Sequence, residues 1–117
     1  MWIQPTYRVL HNEATGTGDG QVLDLYGKYN KAVVQITGTM GIITFKGTVN
    51  GVDWVNLPCT SMTTGATTAT ATAVGVFHVP VMGLKYFKGE ITTHGGGTDK
   101  ISAVASISSQ DLGLESV

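Results

Sequence analysis

Short runs in which apolar and polar residues alternate recur along this chain, and segments rich in glycine separate them. The clearest run spans residues 32–37, where one set is Ala32, Val34 and Ile36 and the other is Val33, Gln35 and Thr37. A period of two residues places the two sets on opposite faces of a β-strand, whereas a helix needs a period near 3.6, which no segment shows. The 16 glycines supply turns, and threonine suits a half-buried strand. The sequence therefore predicts an all-β fold.

The length and the low charge indicate one domain. A chain of 117 residues can bury one core, and its charged residues make up 13%, about half of the usual share. We expect a single antiparallel β-sandwich, similar to a jelly roll, with seven to eight short strands. The predicted sandwich covers residues 20–108, after an N-terminal arm or first strand at residues 1–19 and before a tail at residues 109–117.

Neighbouring runs predict two hairpins. The strands at residues 32–37 and 43–49 are expected to pair across a turn bounded by glycines. The strands at residues 76–81 and 84–91 are expected to pair across the Met82-Gly83 turn.

The remaining segments predict shorter elements. A short strand is expected within residues 21–26, and a last strand at residues 101–108. Residues 60–72 have small side chains, and we expect them to form a long surface loop with a fraying strand at its end. Exposed edge strands can pair with strands of other chains. The lysines expected to hinder such pairing are Lys46, Lys85 and Lys88.

Asn50 and Gly51 predict a tight hairpin turn before a returning strand that contains Trp54. A type I′ turn needs positive φ at both central residues, which asparagine and glycine tolerate. A two-residue loop would pair Trp54 with Gly47 on the core face, whereas a three-residue loop with a bulge would turn the indole toward the face of Lys46. We favour the first register, with Trp54 buried.

No nucleophile with a base, metal-ligand set or phosphate loop can be assembled from these residues, so we predict a protein that is not an enzyme and has no cofactor. The histidines His11, His78 and His94 lack the spacing of a zinc site. Alternation directs His78 away from Phe77, toward solvent or a neighbouring subunit. Two carboxylates brought together by strands, as in glycosidases, are the one enzymatic arrangement that the sequence leaves open.

The single cysteine, Cys59, cannot form an internal disulfide, and packing as a small hydrophobic residue is favoured over a nucleophilic role. The absence of paired cysteines indicates folding in a reducing cytoplasm. The net charge is −1, and lysines and arginines form no cluster, so nucleic acid is not an expected partner. No run reaches the about 18 apolar residues of a membrane helix, and the first residues lack the order of a signal peptide.

Three segments carry a resemblance to a known family. Residues 47–57 (GTVNGVDWVNL) follow Ile43-Thr44-Phe45 and precede residues 83–88 (GLKYFK). Together they resemble a recurrent small β-sandwich of tailed-phage virion proteins, which include capsid decoration proteins and head-fibre or tail-associated domains. The resemblance covers residues 20–108. The hairpin also resembles the sialidase-type Asp-box, with Asn50 at the Asp-like position, but that motif marks a turn and implies no activity.

The resemblance to virion proteins implies a non-enzymatic structural protein located in the virion, after synthesis in the host cytoplasm. Its partners would be further copies of the chain, with a trimer favoured, and the major capsid protein or another virion protein. Residues 1–19 would be a candidate docking arm.

Aromatic residues support an alternative function, a carbohydrate-binding or host-attachment module of a phage tail whose partner is a host-surface glycan. Flat rings stack on the apolar faces of sugars. The candidate rings are Trp2, Tyr7, Tyr26, Tyr29, Trp54 and Tyr86. This alternative predicts a solvent-facing cluster of aromatic rings, and burial of every tryptophan and tyrosine ring would exclude it.

Overall fold

The computed structural model of the protein describes residues 4–38 and 41–107. This part of the chain contains ten β-strands and no helix. The strands are β1 (Thr6–Ala14), β2 (Leu23–Asp24), β3 (Lys31–Gly38), β4 (Ile42–Thr48), β5 (Val55–Leu57), β6 (Cys59–Ser61), β7 (Thr67–Thr68), β8 (Gly75–Pro80), β9 (Tyr86–Thr93) and β10 (Asp99–Ser106).

The strands form two antiparallel sheets that face each other, which confirms the predicted β-sandwich. The large sheet has six strands in the order β1-β10-β3-β8-β6-β7, and the small sheet has four in the order β2-β9-β4-β5. The described residues hold more strands than the predicted seven to eight because β2 and β7 have only two residues each, and β5 and β6 only three. Strands this short show no alternation that a sequence pattern can reveal.

Both predicted hairpins are wrong, because the paired runs lie in different sheets. β3 pairs with β10 and β8 in the large sheet, while β4 pairs with β9 and β5 in the small sheet. β8 and β9 precede and follow Met82 and Gly83 in the chain, but β8 belongs to the large sheet and β9 to the small sheet. Alternation identifies the buried face of a strand but carries no information about its partner.

The core lies between the inward faces of the two sheets. Ala32, Val34 and Ile36 of β3 are at most 1% exposed, so the predicted buried face of this strand is confirmed. In the small sheet the rings of Phe45 and Phe87 stack with their centroids 5.8 Å apart. Apolar side chains from both sheets thus exclude water from the interior.

Residues 60–72 contain parts of two short paired strands, β6 and β7, joined by an exposed turn, where the sequence predicted a long surface loop with a fraying strand only at its end. β6 pairs with both β7 and β8 and extends the large sheet. Oγ1 of Thr60 lies 2.8 Å from Oγ1 of Thr67 across this pair, and Oγ of Ser61 accepts backbone N–H groups of the following turn. Ala71 is buried in the core. Hydroxyl hydrogen bonds therefore order a segment whose composition resembles a loop.

Of the two alternatives for residues 1–19, the structure contains a first strand. β1 forms one edge of the large sheet through its pairing with β10, and Leu10 of β1 is 1% exposed within the core. Two register shifts interrupt this pairing, and Glu13 has a φ of 54°. Bulges of this kind hinder addition of another chain to an edge strand. Trp2 and the predicted tail at residues 109–117 lie outside the described residues.

The loop between β4 and β5 is longer than the predicted two residues. Of its two predicted central residues only Gly51 has positive φ, 82°, so a type I′ turn does not form. Oδ1 of Asn50 instead accepts the backbone N–H groups of Val52 and Asp53, each at 2.8 Å. The asparagine side chain thus shapes this loop by hydrogen bonding, which requires no positive φ at Asn50.

The favoured placement of Trp54 in the core is wrong. Gly47 pairs with Val55, which shifts the register by one residue relative to the prediction and reverses the face of the indole. The Trp54 ring lies beneath the ammonium of Lys88, and Lys88 pairs with Lys46 on the outward face of the small sheet. Trp54 therefore occupies the face that the alternative register predicted, and it is half-buried.

The lysines that were predicted to guard sheet edges do not lie on edge strands. Lys46 and Lys88 belong to β4 and β9, the inner strands of the small sheet, and Lys85 precedes β9. The edge strand β1 carries Arg8 instead, whose guanidinium donates to the carbonyl of Val22 at 3.2 Å.

Candidate assembly surface

A row of side chains crosses the outward face of the large sheet, with one residue from each strand. The members, each paired with the next, are Tyr7, Val104, Val33, His78, Thr60 and Thr67. Residues that lie opposite each other in neighbouring strands share one face. This face points outward because the alternating residues of β3 and β10 are buried. The row therefore spans the whole width of the sheet.

A second row lies beside the first and is formed by four paired residues, Val9, Ser102, Gln35 and Val76. We refer to the two rows together as the assembly face. Half of its ten members are valine or tyrosine. The other five are histidine, glutamine, serine and two threonines, so the assembly face combines apolar and polar side chains and contains no lysine, arginine or carboxylate.

Charge is scarce around the assembly face. The outward positions of paired strands in the described large sheet carry two charged side chains, Lys31 and Lys100, and no carboxylate. Lys31 pairs with Ser106 and Pro80 near one end of the sheet, and Lys100 pairs with Thr37 near the other. The middle of the face thus carries neither lysine, arginine nor carboxylate, which favours contact with another protein surface over hydration.

The dimensions of the protein suit an interface on this face. The principal extents are 49 × 33 × 22 Å, and the shortest is that of two sheets about 10 Å apart with their outward side chains. A broad face of this size can supply the about 800 Å² that each partner buries in a standard interface. The sequence carried a signal for this surface, since Val33 and Val76 occupy outward positions of their alternating runs.

The outward face of the small sheet differs, because it is charged and its charges are paired with one another. Nζ of Lys46 lies 2.7 Å from Oε1 of Glu90, and Nζ of Lys88 lies 3.3 Å from Oδ2 of Asp19. The Lys88 side chain is only 12% exposed, and its ammonium lies 4.2 Å from the centroid of the Trp54 ring. An indole and a carboxylate together stabilise a cation that is largely removed from water.

The aromatic residues considered for sugar binding do not form one cluster. Tyr29 is buried, and its hydroxyl donates to a backbone carbonyl at 2.8 Å. Tyr7 lies on the assembly face, while Trp54 and Tyr86 are half-buried on the outward side of the small sheet. Tyr26 is 67% exposed in the loop between β2 and β3. Among the described residues the predicted cluster of exposed rings is therefore not found, but Tyr7 and Tyr26 are exposed singly, so the carbohydrate alternative is not excluded by burial of every ring.

Two of the histidines make separate contacts. His11 is buried, and its Nε2 lies 2.6 Å from the carbonyl oxygen of Gly89. His78 lies on the assembly face and the neighbouring Phe77 points into the core, so the predicted direction of His78 is confirmed.

The third histidine, His94, contacts Asp99 near the start of β10. Nδ1 of His94 accepts the Gly96 N–H at 3.1 Å, so the proton of the neutral ring is on Nε2, which donates to the carbonyl of Ala14 at 3.1 Å. The same Nε2 lies 3.7 Å from Oδ2 of Asp99. Asp99 is 1% exposed, and neither carboxylate oxygen has a hydrogen-bond partner among the described residues. His94 therefore contacts both Ala14 at the end of β1 and Asp99 at the start of β10.

Cys59 is buried in the core, where its Sγ lies 3.7 Å from the carbonyl oxygen of Thr68. This placement agrees with the predicted role as a small hydrophobic residue. Across residues 4–38 and 41–107, histidine, cysteine and carboxylate side chains do not gather in groups of three or more that could hold a metal ion. The same residues include no helix with the length and apolar character needed to cross a membrane.

Comparison with known proteins identifies a shared fold. No protein-family model and no curated protein matches the chain. The crystal structure of the SPBc2 prophage-derived protein YomS superposes with a TM-score of 0.76 at 19% identity, covering 91% of this chain and 97% of YomS. The PBSX exported protein XepA superposes with a TM-score of 0.81 at 20% identity, covering 87% of this chain and 37% of XepA. The chain thus has the fold of YomS and of just over a third of XepA.

Proposed function

We propose that this protein is a non-enzymatic structural component of a bacteriophage particle, a capsid decoration or head-fibre protein that assembles on the particle surface. It would be made in the host cytoplasm and carried in the virion. The assembly face is the observation that carries the proposal, because an outward face in which half of the side chains are valine or tyrosine, with no lysine, arginine or carboxylate among them, gains stability when another protein surface covers it.

The fold adds support. The strands β1-β10-β3-β8 lie opposite β2-β9-β4-β5, an arrangement compatible with the proposed eight-stranded jelly roll, an architecture used by viral capsid proteins. β6 and β7 extend one sheet beyond this set. YomS, which has the same fold over nearly its whole length, is described as prophage-derived.

The proposed partners are further copies of the chain, as a homotrimer, and the major capsid protein or another virion protein. A chain of 117 residues has a high ratio of surface to volume, so burial of an apolar face between copies adds stability that one small core cannot supply. Closed rotational symmetry then limits the assembly to a defined number of copies.

The test is the protein content of phage particles. Particles are purified by density gradient from lysed cells that encode the chain, and their proteins are quantified by mass spectrometry, with an abundant host cytoplasmic protein as the contamination control. We expect the chain in many copies per particle and gold-labelled antibody on the head surface in electron micrographs. Recovery of the chain only in the soluble fraction contradicts the proposal.

A second function, a carbohydrate-binding or host-attachment module of a phage tail, is favoured by the exposed ring of Tyr26. This function predicts that the fluorescently labelled chain binds host cells, and that enzymatic removal of their surface polysaccharide abolishes the binding. Gold label on the tail rather than the head would favour this function. Equal binding to treated and untreated cells would contradict it.

A further inference from the structure

Three loops meet at one end of the sandwich and line a depression that is open to solvent, which we call the cavity. They connect β2 to β3, β4 to β5 and β8 to β9, and backbone hydrogen bonds tie them together. The Leu25 N–H donates to the carbonyl of Lys85 at 2.8 Å, and the Lys85 N–H donates to the carbonyl of Thr48 at 2.7 Å. The cavity has a volume of about 370 Å³, within the range of about 300 to 1,000 Å³ for small-molecule sites. Its lining residues are Asp24, Tyr26, Gly27, Val49, Gly83 and Lys85.

Tyr26 borders this cavity in an unusual conformation. Its φ is 54°, a left-handed value that few residues other than glycine adopt. Oδ1 of Asp24 accepts the Tyr26 N–H at 2.9 Å, which holds the backbone in place. The ring is 67% exposed, and the ammonium of Lys28 lies 5.3 Å from its centroid. The strained backbone does not place this ring in the core, so packing does not explain the conformation. Strain of this kind is typical of functional positions.

The groups around the ring match the chemistry of a sugar. The tyrosine ring offers a flat apolar surface to the C–H groups of a pyranose, and Val49, which is 69% exposed, extends that surface. The Asp24 carboxylate has lone pairs beyond the one that accepts the Tyr26 N–H, and the Lys85 ammonium has three donors. Both can therefore bind hydroxyl groups.

The charges that line the cavity indicate which class of ligand it can bind. One carboxylate and one ammonium line it, and the Lys28 ammonium lies beside the Tyr26 ring. This small net positive charge is not the cluster of cations that binds a phosphate or nucleotide, so an uncharged ligand fits better. A Cβ built on Gly27 or on Gly83 meets no atom within 4 Å. Open space therefore adjoins both glycines at the cavity wall.

We propose that this cavity is a saccharide-binding site for one uncharged hexose or N-acetylhexosamine unit. Tyr26 stacks on the sugar ring, and Asp24 and Lys85 bind its hydroxyl groups. The proposal rests on the second function given above, for which it names the site, and it is independent of the assembly face.

The experiment is a titration of the ¹⁵N-labelled full chain, followed by NMR, with maltotriose, cellotriose, chitotriose and galactobiose as separate probes. Each is added to about 10 mM, ten times a Kd of about 1 mM. We expect at least one probe to shift the amide signals of Gly27, Val49 and Gly83. If none of the four shifts these signals, the proposal is overturned.

Variants then test the residues. Tyr26→Asn removes the ring but keeps a residue that tolerates positive φ, and we expect its affinity for the active probe to fall by at least about tenfold. Val74→Asn, at a site that is 53% exposed and outside the cavity, should keep the affinity of the natural chain. Equal affinity of Tyr26→Asn and the natural chain overturns the site.

The outcomes separate the site from the function on which it rests. Shifts confined to Trp54 and Tyr86 would overturn this cavity while leaving carbohydrate binding in place on the small sheet. Binding of the labelled chain to host polysaccharide without any shift of the cavity amide signals would also overturn this cavity as the site and leave carbohydrate binding in place. The absence of both cell binding and amide shifts would reject the site and the second function together.

Discussion

The ammonium of Lys88 lies 4.2 Å from the centroid of the Trp54 indole ring. This contact explains why a large apolar residue is found on the outward face of the small sheet, and why a lysine there is only 12% exposed. The indole covers the aliphatic stem and the charge of the lysine together. Asp19, at 3.3 Å from the same ammonium, adds an ion pair whose carboxylate side chain is 54% exposed.

Trp54→Ala is expected to lower the free energy of unfolding by about 1 to 2 kcal/mol, because it removes the cation–π contact and uncovers Lys88. Urea unfolding followed by circular dichroism at one protein concentration measures the change. Asp19→Asn, which alters only an exposed pair, should cost less than about 1 kcal/mol. Equal losses in the two variants would show that the indole contributes nothing beyond the ion pair.

Gly38→Ala is expected to destabilise the protein by more than about 2 kcal/mol. Gly38 has a φ of 114°, and a Cβ there would clash with the carbonyl oxygen of Thr98. Gly16→Ala is the matched control, since its Cβ meets no atom within 4 Å, and it should stay within about 0.5 kcal/mol of the natural chain. Thermal unfolding that does not distinguish the two variants would contradict the close approach of these backbones.

Asn50→Ala is expected to destabilise the protein by about 1 to 2 kcal/mol, because it leaves the N–H groups of Val52 and Asp53 without their acceptor. Asn50→Asp keeps an acceptor oxygen but loses the bond that Nδ2 donates to Asp53 at 2.8 Å. We therefore expect an intermediate stability for the aspartate variant in urea unfolding. An alanine variant as stable as the natural chain would contradict the role of this side chain.

Asp99→Asn is expected to raise the free energy of unfolding by about 1 to 2 kcal/mol, since it replaces a buried carboxylate whose oxygens lack hydrogen-bond partners among the described residues with a neutral amide. Asp53→Asn serves as the control at an exposed carboxylate and should change the value by less than about 0.5 kcal/mol. A destabilised Asp99→Asn variant would instead assign the carboxylate a stabilising pairing with His94.

The sequence allowed the fold class and the buried faces to be predicted, because alternation is a local property of each strand. The inward positions of β3 were identified correctly in this way. Strand pairing was predicted wrongly, since the partners of β3 are distant in sequence and only the closed sandwich specifies them. The register of Trp54 failed for a related reason, because the side chain of Asn50 shaped the loop rather than the backbone preference of Asn50-Gly51.

The candidate site was predicted only in part. An apolar face packed between copies was expected from the size of the chain, but its residues could not be named before β1, β10 and β3 were known to be neighbours. The saccharide cavity likewise depends on three loops that are far apart in sequence. Deletion of residues 1–19, the candidate docking arm, would remove β1 and the buried Leu10, so a single outward substitution is the sharper test of assembly.

The most direct test of the assembly face is the solution mass of the natural chain and of Val104→Lys, measured by light scattering at micromolar concentration. Val104 is 36% exposed and lies between Tyr7 and Val33 in the first row of the face, and a lysine there would have to bury its charge in any interface that covers this row. Val52→Lys, at a loop position that is 77% exposed, is the control. We predict a mass of three 12.3 kDa chains for the natural protein and the control, and a single chain for Val104→Lys. A natural chain that is monomeric, or a Val104→Lys variant that remains trimeric, would contradict assembly through this face.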